Sequence, residues 1–259
     1  MTASSEVRPP DAQAVADVLA DEAARFLVDL WEHSDLWGPR LADEGDQRAN
    51  DLILERLAEL RPDDPVLSEE APDQRERLDV GRAWIVDPLD GSRGFGSRHS
   101  VDWAVHIAYF ADGVMQAATV ALPAIGRTIA MPDAALAPRA DSEQIRIVVS
   151  DARAPRLAWE LADAVDGVLI GMGSAGMKTA AVLLGEADVY VHVGAMREWD
   201  MAAPAAVALA AGAHVSRLDG SPIVFNQSSP IVPDVLVCRP ELAATLLEVI
   251  GPLRGSGPG

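Results

Sequence analysis

Five acidic residues in this chain stand at predicted element ends, not on solvated helix faces. Glu69 and Glu70 follow the apolar pair Val66-Leu67. Asp87 and Asp90 lie three apart around Pro88, directly after Trp84-Ile85-Val86, and Asp200 opens an apolar helix after Trp199. Carboxylates gathered in a partly apolar space cannot all ionise unless something neutralises them. A hard divalent cation does this. Magnesium takes a few carboxylate and carbonyl oxygens at about 2.0–2.1 Å and completes its octahedron with water and substrate phosphate. The five histidines, His33, His99, His106, His192 and His214, are scattered without ligand spacing, so zinc is not expected. A lone Asp-Pro pair would be read as a cap and a turn. The string of "SEE", "DPLDGS" and "WD" predicts instead a Mg²⁺ site built by carboxylates from several element ends.

Local chemistry explains how two carboxylates three apart could share a space. Pro88 lacks an N–H and has a fixed φ, so it is expected to end the strand and turn the chain. Gly91 supplies conformational freedom, and Gly91-Ser92 offer backbone N–H groups.

The elements that position these residues follow from periodicity. Val15, Val18, Leu19, Ala23, Phe26, Leu27, Leu30 and Trp31 make a helical stripe over 11–31. A second helix is predicted over 46–60, stopped by Pro62. A short strand at 66–67 precedes a polar loop over 72–82. Residues 102–131 read as an antiparallel meander with turns at Asp112-Gly113 and Pro123–Gly126. The Pro- and Ala-rich stretch 132–144 is the expected boundary, dividing the chain into 1–138 and 139–259. Beyond it strands and helices alternate: strands at 145–150, 168–172, 188–193 and 234–238, helices at 155–166, 174–184 and 199–211, and a last helix. This predicts α/β layering there and an α+β first half.

Composition narrows the function. The chain has 259 residues, 49% of them hydrophobic, which is enough for a large core. Its formal net charge of −19 opposes coating a polynucleotide, but not binding a small phosphate ester through metal ions. Cys238 is the single cysteine, which fits a reducing cytoplasm. The first residues lack the features of a signal peptide, and the Ala-rich run 201–215 is too short for a membrane span, so no membrane partner is expected. Lys178 is the only lysine among 21 basic residues, which singles it out.

"VLSEE" (66–70), "WIVDPLDGS" (84–92) and "EWDMAAPAAVALAAGA" (198–213) resemble the three signature motifs of the inositol monophosphatase superfamily, in order along nearly the whole chain. The resemblance implies a layered αβαβα sandwich and a lithium-sensitive, Mg²⁺-dependent phosphomonoesterase with two or three ions. It implies Glu69, Asp87, Asp90, Asp200 and the Leu89 carbonyl as metal ligands. It implies that Ser92, where the family usually has threonine, and Asp46 of "EGDQRAN", with Glu69, orient and activate the attacking water. Gly91 and Ser92 would donate N–H groups to the phosphate. Family members are often dimers, which leaves a homodimer open.

The segment "GMGSAGMK" (171–178) bears on the substrate. Gly171-x-Gly173-x-x-Gly176 between a strand and a helix matches a dinucleotide fingerprint. It lies late in the chain, whereas a Rossmann unit would lead its domain. The preferred reading is an anion site at a helix start, with Lys178 as a point charge for a second phosphate. The segment resembles the "GS-x-x-K" of the 3'(2'),5'-bisphosphate nucleotidase branch, nearest the actinobacterial 3'-phosphoadenosine 5'-phosphate phosphatases of sulfate assimilation. This adds Ser174, Lys178, Ser150 and Arg197 as expected substrate contacts, with Arg153 and His192 as further candidates. The implied reaction releases the 3'-phosphate of 3'-phosphoadenosine 5'-phosphate, with 3'-phosphoadenylyl sulfate as a second substrate. The alternative is an inositol monophosphatase or a fructose-1,6-bisphosphatase-like sugar phosphatase; a non-catalytic nucleotide-binding protein is a third reading. Gly94 departs from the branch, where a glutamate is usual, which makes this position a point on which substrate choice turns.

Overall fold

The structure is a computed structural model and describes residues 11–150 and 154–255; Arg153 lies outside them. Helix α1 (Ala12–His33) buries the stripe Val15, Leu19, Ala23 and Leu27. Burying each leucine contributes about 1.5–3 kcal/mol, more than the roughly 1 kcal/mol of its Asp11 cap, so packing sets the helix. Helix α2 (Pro39–Leu60) begins well before the predicted Asp46. Pro39 is pre-set for a first helical turn, and Leu41, Ala42 and Gly45 are buried in a stretch whose polar neighbours hide the stripe.

The first sheet has the order β1-β2-β3-β4-β5. Strand β1 (Val66–Ser68) is parallel to β2 (Arg82–Asp90), and β2, β3 (Ala104–Ala111), β4 (Val114–Leu122) and β5 (Arg127–Ala130) are antiparallel, as the meander predicts. Short helices α3 (Glu76–Val80) and α4 (Ser92–Ser97) flank β2.

Pro88 does not end β2, contrary to the expectation from sequence. The strand continues to Asp90 across a bulge: Asp87 pairs with His106 and Asp90 with Ala104, with Pro88 and Leu89 between them on β2 against Val105 alone on β3. The unpaired extra residue tolerates a proline because no ladder N–H is required there. The bulge also corrects the facing. In a regular strand, residues three apart point to opposite faces; one extra residue brings Asp87 and Asp90 to the same face.

The second sheet has the order β7-β6-β8-β10-β9. Strand β6 (Ile145–Ser150) is parallel to β7 (Gly167–Met172) and to β8 (Val189–Arg197); β10 (Ile231–Cys238) is antiparallel to β8 and to β9 (His214–Ser216). Strand β8 runs to Arg197, past its predicted end, because β10 pairs along it as far as Ile231↔Arg197. Three apolar clusters define the layers. Helices α1 and α2 pack on the first sheet, α6 (Ala175–Leu183) and α7 (Glu198–Ala210) fill the space between the sheets, and α5 (Arg156–Ala164) and α8 (Ala243–Gly255) cover the second. The result is an αβαβα sandwich whose central core draws on both halves of the chain. No described helix is long and apolar enough to cross a membrane.

Candidate active site

Parallel pairing of β1 with β2 places Glu69 next to Asp87. Ser68 aligns with Val86, and the Glu69 N–H donates to the Val86 carbonyl at 3.3 Å. Asn50 of α2 accepts from the Ser68 hydroxyl at 2.7 Å, and Asp46, one turn earlier on the same helix face, is thereby brought to the same acids. Asp200 comes from the first turn of α7, where one of its oxygens accepts from the Arg197 N–H at 2.8 Å.

Glu69, Asp87 and Asp200 each present an oxygen within 4.8 Å of the other two. The three oxygens are near enough to converge on one cation as ligands of a hard ion do. The electrostatics agree. Burial pushes the Asp87 carboxyl well above its ordinary range, reinforced by Asp90, Glu69, Asp200 and Asp46. Glu69, whose carboxyl faces the cleft although the residue as a whole is exposed, is pushed up to about 7 by desolvation and by Asp200, Glu70 and Asp90. Asp200 is pushed up to about 7 by burial and Asp90. Asp46 reaches about 8 through burial and through Glu70, Glu69 and Asp43. So many raised carboxyls around one point form a set of hard oxygen donors lacking positive charge, which fits a divalent cation. Leu89 is buried beside the bulge, and its N–H donates to Asp87 at 3.1 Å.

Asp90 is arranged differently from the other acids. Its Oδ2 accepts from the Ser174 hydroxyl at 2.5 Å and from the Gly176 N–H at 2.8 Å, and His106 Nε2 lies 3.3 Å away. One oxygen of Asp90 is therefore committed to the start of α6, which leaves Oδ1 for a ligand. The start of α6, read from sequence as an anion site, is thus partly engaged within the fold. Three of its amides are paired: Gly173 N–H with Asp102, Gly176 N–H with Asp90, and Met177 N–H with the Ser174 hydroxyl. The glycines serve close approach instead. A Cβ on Gly176 would run into the His106 ring, and one on Gly173 would lie 2.9 Å from Asp102 Cβ.

A cavity of about 500 Å³ opens beside the acids. Asp90 and Asp200 line it together with Ser150, Ser174, Lys178 and Arg197, so four expected substrate contacts do share one space. Lys178 is buried; its ammonium donates to the Met172 and Gly173 carbonyls and lies 5.3 Å from the Tyr190 ring centroid. His192 lines the same cavity, with Tyr190, Met196 and Ile231 adding apolar wall that sequence reasoning did not single out. Gly91 and Ser92 open α4 next to it. Gly91 has φ +86°, and a Cβ there would strike the Asp102 carbonyl oxygen, so both conformation and space require glycine. Gly94 lines a smaller cavity of about 280 Å³ with Arg93 and Ser100.

His106 was also missed. It is fully buried, with Nδ1 3.3 Å from the Trp199 carbonyl and 3.8 Å from Asp87. A polar residue inside the apolar run "AVHIAY", on the strand after the Asp87–Asp90 motif, is the signal that could have found it.

Residues 12–251 match the model of the family described as the inositol monophosphatase family. The chain belongs to this family. Within it, the chain is 46% identical over 253 residues to the 3'-phosphoadenosine 5'-phosphate phosphatase of Mycobacterium leprae (strain TN), covering 93% of each chain. It is 33% identical over 193 residues to the 3'(2'),5'-bisphosphate nucleotidase CysQ of Escherichia coli (strain K12), covering 70% of this chain and 78% of that one. The fold is that of inositol monophosphatase II from Staphylococcus aureus MSSA476, with a TM-score of 0.78 at 21% identity over 94% of this chain and 96% of that chain.

Proposed function

We propose that this family member is a Mg²⁺-dependent 3'(2'),5'-bisphosphate nucleotidase. It hydrolyses the 3'-phosphate of 3'-phosphoadenosine 5'-phosphate to leave AMP, and takes 3'-phosphoadenylyl sulfate through the same contacts, in cytoplasmic sulfur assimilation. The observation that carries the reading is the cavity that joins Asp90 and Asp200 to Ser150, Ser174, Lys178 and Arg197. Its volume of about 500 Å³ lies within the range of pockets for small ligands. The names of the mycobacterial and CysQ relatives support the nucleotide over a sugar phosphate.

In this reading Glu69, Asp87, Asp90, Asp200 and the Leu89 carbonyl hold the two or three ions. Bound magnesium supplies positive charge that lowers the pKa of water and screens the phosphate oxygens. The protein does the remainder. Asp46, ionised once bound cations offset its acidic neighbours, accepts the proton of the attacking water, which the Ser92 hydroxyl and Glu69 orient. The Gly91 and Ser92 N–H groups hold the phosphate being removed. Lys178 and Arg197 meet the second phosphate, Ser150 and Ser174 meet the ribose, and Met196 and Ile231 give the nucleoside an apolar wall.

Initial rates of phosphate release on the bisphosphate nucleotide, inositol 1-phosphate and fructose 1,6-bisphosphate, under Mg²⁺ and Li⁺ titration, test the reading. A kcat/KM at least ~100-fold higher on the nucleotide is expected, because paired polar contacts discriminate strongly, together with inhibition by Li⁺. Comparable values on the nucleotide and the inositol ester would defeat it.

A further inference from the structure

The chain between β1 and β2 carries a fully buried arginine that the chemistry above does not use. Arg77, in α3, has no exposed surface. It donates to Asp73 through Nε at 2.6 Å and Nη2 at 3.1 Å, to Asn226 Oδ1 through Nη1 at 2.7 Å, and to the Gln227 carbonyl through Nη2 at 2.9 Å. Asn226 answers by donating its side-chain amide to the Arg77 carbonyl at 3.2 Å. The N–H groups of Asn226 and Gln227 donate in turn to Glu198, at 2.7 and 2.9 Å. Glu198 is fully buried at the start of α7, two residues before Asp200.

This network joins three segments: the link that follows Glu69, the link that precedes β10, and the helix that carries Asp200. Asp200 follows closely on the end of β8, where Arg197 pairs with Ile231, and the network ties that junction to the segment after Glu69. Sheet hydrogen bonds lock β1 to β2. Helix α7 packs through Met201 and Val207 as well as a run of buried alanines. Glu198, buried in the first turn of α7, ties this helix to the Arg77 network. Burying an arginine and a glutamate costs several kcal/mol unless every bond is made, so the network holds one geometry or none.

We propose that Arg77 is a positioning residue for the acid cluster: through Asn226, Gln227 and Glu198 it sets the reach of Asp200 toward Glu69 and Asp87, and with it the affinity for Mg²⁺. The proposal rests on reading those three acids as the metal site. Mg²⁺ binding by calorimetry, thermal melting and Mg²⁺ activation curves, measured on the full chain and on Arg77→Met, Arg77→Lys and Asn226→Gly, test it. Arg77→Met and Asn226→Gly are expected to weaken the Mg²⁺ Kd about 10-fold or more and shift the activation midpoint equally, as outer-shell partners of metal ligands do, while KM for the nucleotide at saturating Mg²⁺ stays within about twofold. Arg77→Lys should recover part of the loss. Asn226 has φ +58°, which glycine adopts freely, so Asn226→Gly carries the test if Arg77→Met does not fold. Variants that lose thermal stability but bind Mg²⁺ as the parent does would reduce Arg77 to a structural brace and overturn the proposal. A parent chain that binds no Mg²⁺ would overturn the metal reading itself, a result readily told apart from the first.

Discussion

At the residue scale, the proposed function gives Asp90 two tasks that can be separated. Its Oδ2 anchors the start of α6, while Oδ1 remains for a cation. Asparagine can keep an oxygen toward Ser174 and Gly176 but brings no charge. Asp90→Asn should therefore stay folded by circular dichroism and lose Mg²⁺-dependent turnover by about 10³-fold or more, on the scale of removing a group that acts only on the transition state. Near-normal turnover would remove Asp90 from the metal site. The acids were legible in the sequence because each lies next to a proline, a glycine or an apolar run. The way Asp87 and Asp90 come to share a face was not. Strand periodicity sends them to opposite faces, and only the pairing of β2 with β3 reveals the bulge that brings them together. His106 was hidden for a similar reason. Its partners, Asp87, Asp90 and the Trp199 carbonyl, are distant in sequence or lie across a strand pair, so no spacing rule reaches them.

At the element scale, helix α6 couples the substrate wall to the acids. Ser174 is its N-cap, held at φ +51°, and the same hydroxyl both accepts from Met177 N–H and donates to Asp90. Ser174→Ala removes both bonds. The expected result is a loss of about 1–2 kcal/mol in urea unfolding, as for other lost caps, together with reduced kcat at saturating substrate because Asp90 keeps only its bond from the Gly176 N–H. A variant with the stability loss but unchanged kcat would show that the cap does not serve the site. Element existence was largely legible, because α1, the meander and the alternation after residue 144 follow clean periods. Element ends were less so. The start of α2 at Pro39 and the extension of β8 to Arg197 depend on tertiary partners, Phe95 and Leu89 crowding Gly45 in one case and β10 in the other.

At the scale of the whole molecule, the site trades stability for binding. Without a cation, Asp46, Glu69, Asp87 and Asp200 hold protons that the unfolded chain, with ordinary carboxyls near 3.8 and 4.5, releases. Groups with raised folded pKa values stabilise the fold fully below the unfolded values, and this is lost as pH rises through about 7 to 8. The metal-free chain should thus melt lower at pH 8 than at pH 6. Saturating Mg²⁺ replaces the protons, so the rise in Tm that it causes should be larger at pH 8 than at pH 6, measured by calorimetry. A rise independent of pH would contradict the cluster. Asp188 has the opposite sense. Burial works against its ionisation, but hydrogen bonds from Arg146 and Arg139 outweigh that and hold it down to about 2. Its contribution is complete above the unfolded value of 3.8 and fades as pH falls toward 2.

The central claim is a division of labour within one cavity: the acid cluster runs the hydrolysis, while the α6 wall, through Lys178, selects a substrate that carries a second phosphate. Steady-state kcat/KM of Lys178→Ala on 3'-phosphoadenosine 5'-phosphate and on inositol 1-phosphate, both at saturating Mg²⁺, tests it most directly. A loss of about 10²-fold on the nucleotide, with the inositol ester within a few-fold of the parent, is the predicted result, as expected for a buried charge-assisted contact. Equal losses on both substrates, or no loss on the nucleotide, would contradict it.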